Sequence, residues 1–144
     1  GTALVERAKT FIDRISVVKE GVIAGKYGVN SMHDATEGGI LGAVWEIAEA
    51  SGVGVRIYRE RIPIEPETLE ISRLFEIDPL KLISSGCMVI TCPDGEGLVN
   101  ELKRNGIDAS IIGKVTGCKD KKLISESHVE DILQPGSDEL YKAI

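Results

Sequence analysis

The chain has 144 residues, of which 42% are hydrophobic and 28% charged, and its formal net charge is −6. These values are typical of one soluble globular domain that buries a core without disulfides. The acidic balance and the scattered Lys and Arg argue against a nucleic-acid-binding protein, which needs a clustered basic surface to displace counterions from phosphates. No apolar run approaches the roughly 20 residues that cross a bilayer. The three cysteines do not suggest a disulfide framework, so we expect a cytoplasmic protein.

The domain organisation is expected to be simple, because no internal repeat or linker interrupts the sequence. We predict a single domain over residues 1–144, with a helical lead-in at 1–28, a core at 29–116 and a tail at 117–144. The chain starts with Gly1 in place of Met, from which we expect it to be part of a longer protein.

The predicted elements follow from apolar spacing and from Gly and Pro punctuation. In chain order, helices are expected at 3–27 with a break near Ser16 or Gly21, from within 34–38 to 50, at 66–75, in a short turn at 80–83, and after Pro93-Asp94-Gly95 up to Asn105-Gly106. Strands are expected at 29–33, 54–58, 87–92, 109–116 and 122–124, the last pairing beside 109–116. The tail after Pro135-Gly136 is polar and is expected to be loosely held, with one short helix over 138–144.

This alternation of helices and strands favours a single sheet of about four strands that is covered by helices. Sequence order alone leaves open whether the sheet is parallel or mixed. The compact apolar run from Cys87 to Cys92 predicts a buried central strand, with both cysteines in the core.

One stretch carries recognisable chemistry, the segment Asp34-Ala35-Thr36-Glu37-Gly38-Gly39 between a strand and an amphipathic helix. The first turn of a helix leaves backbone N–H groups without intrahelical partners, and these groups can bind phosphate. Thr36 could add a hydroxyl donor, and Asp34 could hold Mg²⁺, which takes one or two carboxylates plus phosphate oxygens.

A structural interpretation of the same segment stays open on the pattern alone. Asp34 or Thr36 could be the N-cap of the helix, with Glu37 completing a capping box. Gly38 and Gly39 would then serve tight packing between helix and strand. The segment matches neither the dinucleotide-binding glycine pattern nor the P-loop.

Several motifs in a fixed order resemble one family. They are His33–Gly39, the helix and strand from Ala43 to Val55, Ile62-Pro63-Ile64-Glu65-Pro66, Phe75–Leu80, Ser84-Ser85-Gly86 and Ile112-Gly113-Lys114-Val115. Together they resemble the C-terminal domain of the PurM-like (AIR synthase-related) superfamily, most of all its hydrogenase expression/formation (HypE) members. The resemblance implies an α+β fold with a mixed sheet of about four strands in α/β/α layers, partly ferredoxin-like.

The resemblance also implies the site and its ligands. By position, it assigns catalytic roles to Asp34 and Thr36, and ligand-binding roles to Gly38, Gly39, His33, Ser84, Ser85 and Gly86. The implied ligands are ATP and Mg²⁺, with Asp34 holding the metal. The implied reaction is ATP-dependent activation of a carbonyl or amide oxygen, which in HypE leads from a carboxamide to a nitrile during hydrogenase metal-centre maturation.

The implied partners are an N-terminal ATP-binding domain, a second copy of the full-length protein in a homodimer, and other maturation proteins; neither nucleic acid nor membrane is expected. Two positions depart from the HypE pattern. HypE proteins end in a cysteine that carries the modified group, whereas this sequence ends at Ile144, and they commonly have Arg where Glu37 stands. Two alternatives therefore remain: a synthetase or kinase of the same superfamily with another substrate, and a non-catalytic binding or regulatory module.

Overall fold

A computed structural model describes residues 1–144 as five α-helices and six β-strands, with short 3₁₀ turns between them. The helices are α1 (Thr2–Lys9), α2 (Val18–Tyr27), α3 (Gly39–Ser51), α4 (Pro66–Leu74) and α5 (Gly95–Arg104). The strands are β1 (Ser31–Asp34), β2 (Gly54–Tyr58), β3 (Met88–Thr91), β4 (Gly113–Thr116), β5 (Lys121–Ile124) and β6 (Val129–Asp131). None of the helices is long and apolar enough to cross a membrane.

The main sheet has four strands in the order β4-β2-β5-β6. It is mixed, because β2 runs antiparallel to β4 and parallel to β5, while β6 is antiparallel to β5. The apolar stripe of α3 supplies Leu41, Val44 and Ala48 to a core cluster that also contains Val55 and Leu123 of the sheet. The predicted α+β class, with a mixed four-stranded sheet covered by helices, is confirmed.

The expectation of one sheet is wrong in one respect, because β1 and β3 form a separate antiparallel ladder. The predicted central strand at 87–92 is β3, whose single neighbour is β1 and whose residues are all half-buried. Its apolar side chains pack partly against a small second core of Ala24, Leu98 and Leu102, contributed by α2 and α5. The run is therefore apolar because helices lie against it, although no third strand does.

The pairing predicted for 122–124 is also wrong. β5 lies beside β2 rather than beside β4, with Leu123 opposite Ile57. Residues 109–112, expected to be part of a strand, precede β4 as irregular backbone, and β6 was not anticipated. The parallel pairing places Leu123 in the core cluster beside Ile57. The two strands lie far apart in the sequence, so this contact could not be predicted from local patterns.

The helices agree well with the periodicity. The predicted break in the first helical region lies between the 3₁₀ turn Thr10–Arg14 and α2. The end of α3 at Gly52 has the expected left-handed conformation, with φ of +64°. The short helix expected at 80–83 is instead an irregular turn, in which Leu80 is 1% exposed and packs under α3.

Candidate functional site

The Asp34–Gly39 segment joins the end of β1 to the start of α3, as the sequence predicted. Ala35 is buried, whereas Asp34 and Thr36 are exposed. The N–H of Ala35 donates to the carbonyl of Cys87 at 3.0 Å, and the carbonyl of Ala35 accepts from the N–H of Ser84 at 3.2 Å. Ala35 therefore anchors the segment to the neighbouring loop, and the side chains on either side of it face outward.

The two glycines are required by the backbone. Gly38 and Gly39 both have positive φ, +79° and +63°, a region that residues with a Cβ rarely occupy. A Cβ on Gly39 would stand 2.5 Å from the carbonyl oxygen of Leu80 and 2.6 Å from that of Leu82. The Gly-Gly pair thus lets the turn pack directly on the backbone of the Leu80–Leu82 loop.

The start of α3 is capped by a residue from the far end of the chain. The N–H of Gly38 donates to Oδ2 of Asp138 at 2.7 Å, and the Asp138 side chain is buried. No side chain at the N-cap itself makes a capping hydrogen bond. The interpretation in which Asp34 or Thr36 caps the helix and Glu37 completes a box is therefore wrong about the residues, because the N-cap is Gly38 and the capping carboxylate comes from Asp138.

The Ser84–Gly86 stretch lies next to the same segment. Ser84 contacts Ala35 through the backbone hydrogen bond just described, while Ser85 is exposed. Gly86 has φ of +97°, and a Cβ there would stand 2.5 Å from the carbonyl oxygen of Arg14. The structure thus brings together the two stretches that the sequence singled out, and it places Gly86 against the turn that precedes α2.

His33 is held in one orientation at the side of the segment. Its Nε2 lies 2.6 Å from Oε2 of Glu46 on α3, and its Nδ1 lies 2.6 Å from the backbone oxygen of Asp34. The His33 side chain is 30% exposed. Both ring nitrogens therefore face oxygen acceptors, so the ring is oriented but is not free to contact a ligand through either nitrogen in this arrangement.

An open hollow of about 340 Å³ lies beside Asp34 and His33, with Val17, Met32 and Met88 completing its lining. The Asp34 carboxylate is 59% exposed, and its ion-pair contact is with His33 at 3.7 Å. The Glu46 carboxylate, in contact with His33, adds a second negative charge nearby, which opposes binding of a phosphate that lacks a counter-ion.

Mg²⁺ would fit this donor set only if most of its ligands came from outside the chain. The chain contains no group of three or more His, Cys, Asp or Glu side chains placed to hold a metal by themselves. Mg²⁺ commonly takes one or two carboxylates and completes its shell with water and phosphate oxygens. The exposed Asp34 carboxylate could serve as one such ligand.

The cysteines are not arranged for chemistry at this site. Cys87 is exposed and Cys92 half-buried, so the prediction that both lie in the core is wrong for Cys87. The thiol of Cys87 is nevertheless surrounded closely enough that desolvation raises its pKa, with the Glu65 carboxylate adding to the effect. A thiol with a raised pKa stays protonated at neutral pH and is a poor nucleophile.

Sequence reasoning missed three acidic residues that shape the site: Glu46, Asp138 and Glu139. Glu46 stands on the polar face of α3, where nothing distinguishes it from a solvated charge. Asp138 precedes a short helix and accepts from the N–H of Leu140 at 2.8 Å, a local cap that the Asp-Glu-Leu-Tyr pattern could have indicated. Its second role, at the start of α3, depends on a contact across 100 positions of the sequence.

Comparison with known proteins identifies the relatives of this chain. The sequence profile of the AIR synthase related protein, C-terminal domain, matches residues 4–126. A putative hydrogenase expression/formation protein of Methanocaldococcus jannaschii is 32% identical over 112 residues, which are 75% of this chain and 33% of the relative. The carbamoyl dehydratase HypE of Rhodobacter capsulatus is 30% identical over 97 residues, 65% of this chain and 28% of that protein.

Solved structures agree with these relatives. HypE in a HypE–HypF complex superposes with a TM-score of 0.70 at 28% identity, covering 78% of this chain and 39% of that one. A HypE structure in complex with ATP has a TM-score of 0.66 at 19% identity, covering 73% and 35%, and supports the fold alone. The chain spans about a third or less of the length of the curated relatives described above. From its sequence and its fold, the chain belongs to the AIR synthase-related C-terminal-domain family.

Proposed function

We propose that this chain is the C-terminal domain of an ATP-dependent, HypE-like enzyme of the PurM superfamily that acts in hydrogenase metal-centre maturation. In this proposal the Asp34–Gly39 segment contributes one wall of a cleft shared with a preceding ATP-binding domain. The substrate class is a carboxamide, whose oxygen is activated by phosphate transfer before dehydration. The family match and the carbamoyl dehydratase relatives support this assignment.

The observation that carries the proposal is the meeting of two distant stretches at one edge of the fold. The segment Asp34–Gly39 and the stretch Ser84–Gly86 are joined through the backbone of Ala35, and Asp34, at the start of the first, lines the open hollow. A domain in which these loops only closed the fold would not need to leave Asp34 and Thr36 exposed between them.

The proposed roles follow from exposure and chemistry. Asp34 would hold Mg²⁺ against the phosphates of ATP, and the hydroxyl of Thr36 would donate to a phosphate oxygen or to the substrate. Gly38 and Gly39 would keep the turn close enough for this contact, and Ser84, Ser85 and Gly86 would border the ligand. His33, fixed by Glu46, would line the rim. ATP is proposed as the nucleotide from the family assignment.

A second domain is needed to complete the site. The carboxylates around Asp34 supply no positive charge for a triphosphate, and the hollow is open. Exposed apolar side chains stand on the preceding turn and α2, among them Ile12 at 67% and Val18 at 71%. Apolar side chains left in solvent near a site mark a surface that a partner covers. We propose that the ATP-binding domain covers them, in a homodimer of the longer cytoplasmic protein.

A maturation protein is the proposed external partner. HypE has been solved in a complex with HypF, and the structural match to that HypE includes 78% of this chain. Delivery of a carboxamide by another protein would fit an open hollow better than a closed pocket.

Calorimetry with Mg-ATP tests whether the site is shared between domains. The 144-residue chain is expected to bind Mg-ATP with a dissociation constant above about 1 mM, because one exposed carboxylate and one hydroxyl supply little net binding free energy. The longer protein, expressed with its upstream coding sequence, is expected to bind in the micromolar range. Micromolar binding by the short chain, or no binding by the long one, contradicts the proposal.

A further inference from the structure

Residues 135–139, near the C-terminal end of the chain, pack against the candidate site. Asp138 and Glu139 are 5% and 7% exposed, although Ser137 and Leu140 on either side of them are exposed. Acidic side chains are rarely buried to this extent unless their oxygens are satisfied. Both residues lie beyond residue 126, where the family match ends.

The carboxylate of Asp138 is satisfied by backbone amides from three parts of the chain. Oδ2 accepts from the N–H of Gly38 at 2.7 Å, and Oδ1 accepts from the N–H groups of Ile83 at 3.1 Å and Leu140 at 2.8 Å. The nearby Lys142 ammonium pairs with Glu139 instead, at 2.6 Å. The positive end of the 13-residue helix α3 and the three amides therefore supply its counter-charge.

Neighbouring contacts fasten the same segment at further points. The N–H of Glu139 donates to the carbonyl of Lys81 at 3.4 Å, and Oε2 of Glu139 accepts from the N–H of Asp78 at 3.3 Å. The ring of Pro135 lies against Gly38, with its Cβ 3.0 Å from where a Gly38 Cβ would stand. Residues 135–139 thus lie across both loops of the candidate site.

We propose that Asp138 is a positioning residue, because its carboxylate links the start of α3 to the loop that carries Ser84–Gly86. The same carboxylate occupies the hydrogen-bonding position at the Gly38 N–H that an anionic ligand would otherwise take. Phosphate is then not bound by the Gly38 N–H, and ligand contacts come from the exposed Asp34 and Thr36. The consequence for ligands rests on the proposed function, whereas the tie between the loops does not.

Amide hydrogen exchange on the ¹⁵N-labelled 144-residue chain tests the tie. In Asp138→Asn, exchange at Gly38 and Ile83 is expected to rise, by about tenfold or more at the amide that faces the new NH2 group, because asparagine keeps one accepting oxygen and no charge. Exchange at Val55 and Tyr58 of β2, whose amides donate to the carbonyls of Asp120 and Ile112, is expected to change far less. Asp108→Asn is the matched control, since Asp108 is exposed.

Two results would overturn the proposal. The first is unchanged exchange at Gly38 and Ile83, or a rise that is equal at Val55 and Tyr58, which would reduce Asp138 to a contributor to global stability. The second compares two chains in a titration with inorganic phosphate: a saturable shift of the Gly38 amide signal that is equal in wild type and in Asp138→Asn would show that the Asp138 carboxylate does not exclude phosphate from this position. Neither measurement involves ATP, so failure of the proposed ATP chemistry leaves both results interpretable.

Discussion

The two sides of the Asp34–Gly39 segment differ sharply in what surrounds them. The inner side consists of Ala35, Gly38 and Gly39, which are buried. The backbone groups of these residues form hydrogen bonds within the chain. The outer side, Asp34 and Thr36 with Glu37, is exposed. The inner residues are therefore constrained by the fold, while the outer residues are available for chemistry.

This difference explains why one motif supports two interpretations. Its glycines satisfy a structural requirement, because Gly39 could not carry a Cβ beside the carbonyl of Leu80. Its Asp and Thr satisfy none that the structure reveals, since the helix start is capped by Asp138 instead. Substitutions on the inner side should mainly change the free energy of unfolding, and substitutions on the outer side should mainly change activity.

The largest effect on stability is expected from Gly39→Ala. The new Cβ would combine a positive φ with a clash against two backbone oxygens, which we expect to lower the free energy of unfolding by about 2–5 kcal/mol. Gly52→Ala is the matched control, because Gly52 has nearly the same φ, +64°, but no atom within 4 Å of its Cβ position. That variant should lose about 1–2 kcal/mol in urea unfolding. Equal losses would show that the close approach at Leu80 contributes nothing.

A smaller effect on stability is expected from the titration of Glu139, next to the Asp138 carboxylate that caps α3. The Lys142 ammonium and the N–H of Asp78 lower the pKa of Glu139 below its ordinary value of 4.5, against the opposing effect of burial. A depressed pKa stabilises the fold above the unfolded value, and this contribution is lost as the pH falls through the folded value. In Glu139→Gln the free energy of unfolding should therefore fall less steeply than in wild type as the pH drops below about 4.5.

The exposed Glu126 provides the comparison for that experiment. Glu126→Gln removes the same charge without touching the segment at Asp138, and its stability should follow the wild-type dependence on pH. A Glu139→Gln curve parallel to that of wild type would contradict the role assigned to the Lys142 and Asp78 contacts.

The smallest effect on stability is expected on the outer side. Asp34→Asn and Thr36→Ala should each change the free energy of unfolding by no more than about 0.5 kcal/mol, because both side chains are exposed. Thermal unfolding of the 144-residue chain measures this directly. A loss near that of Gly39→Ala would show that the outer side chains hold the fold together.

Local patterns predicted much of the fold. The alternation from Gly54 to Tyr58 predicted β2 to the residue, and the periodicity of the third helix placed α3 within one turn. These elements can be predicted from their own residues, because one face of each is buried in the main core and its apolar side chains therefore recur at regular spacing. The adjacency of the Asp34 and Ser84 stretches followed from a resemblance and not from any pattern in the residues.

Long-range partners could not be predicted in the same way. The polar stretch around Asp138 reads as a solvated tail, because a buried carboxylate and an exposed one look the same in sequence. Likewise, nothing in Lys121–Ile124 indicates that it pairs with β2 instead of β4. Both errors concern contacts between segments far apart in the chain, whose energy depends on the folded arrangement.

The most direct test of the central claim is the rate of ATP turnover by the longer protein carrying Asp34→Asn, measured beside its melting temperature. The claim predicts a rate lowered by about a hundredfold or more, since a ligand of the phosphate-bound metal is weakened, with the melting temperature within a few degrees of wild type. An unchanged rate would contradict it and would leave the outer side of the segment without a role in catalysis.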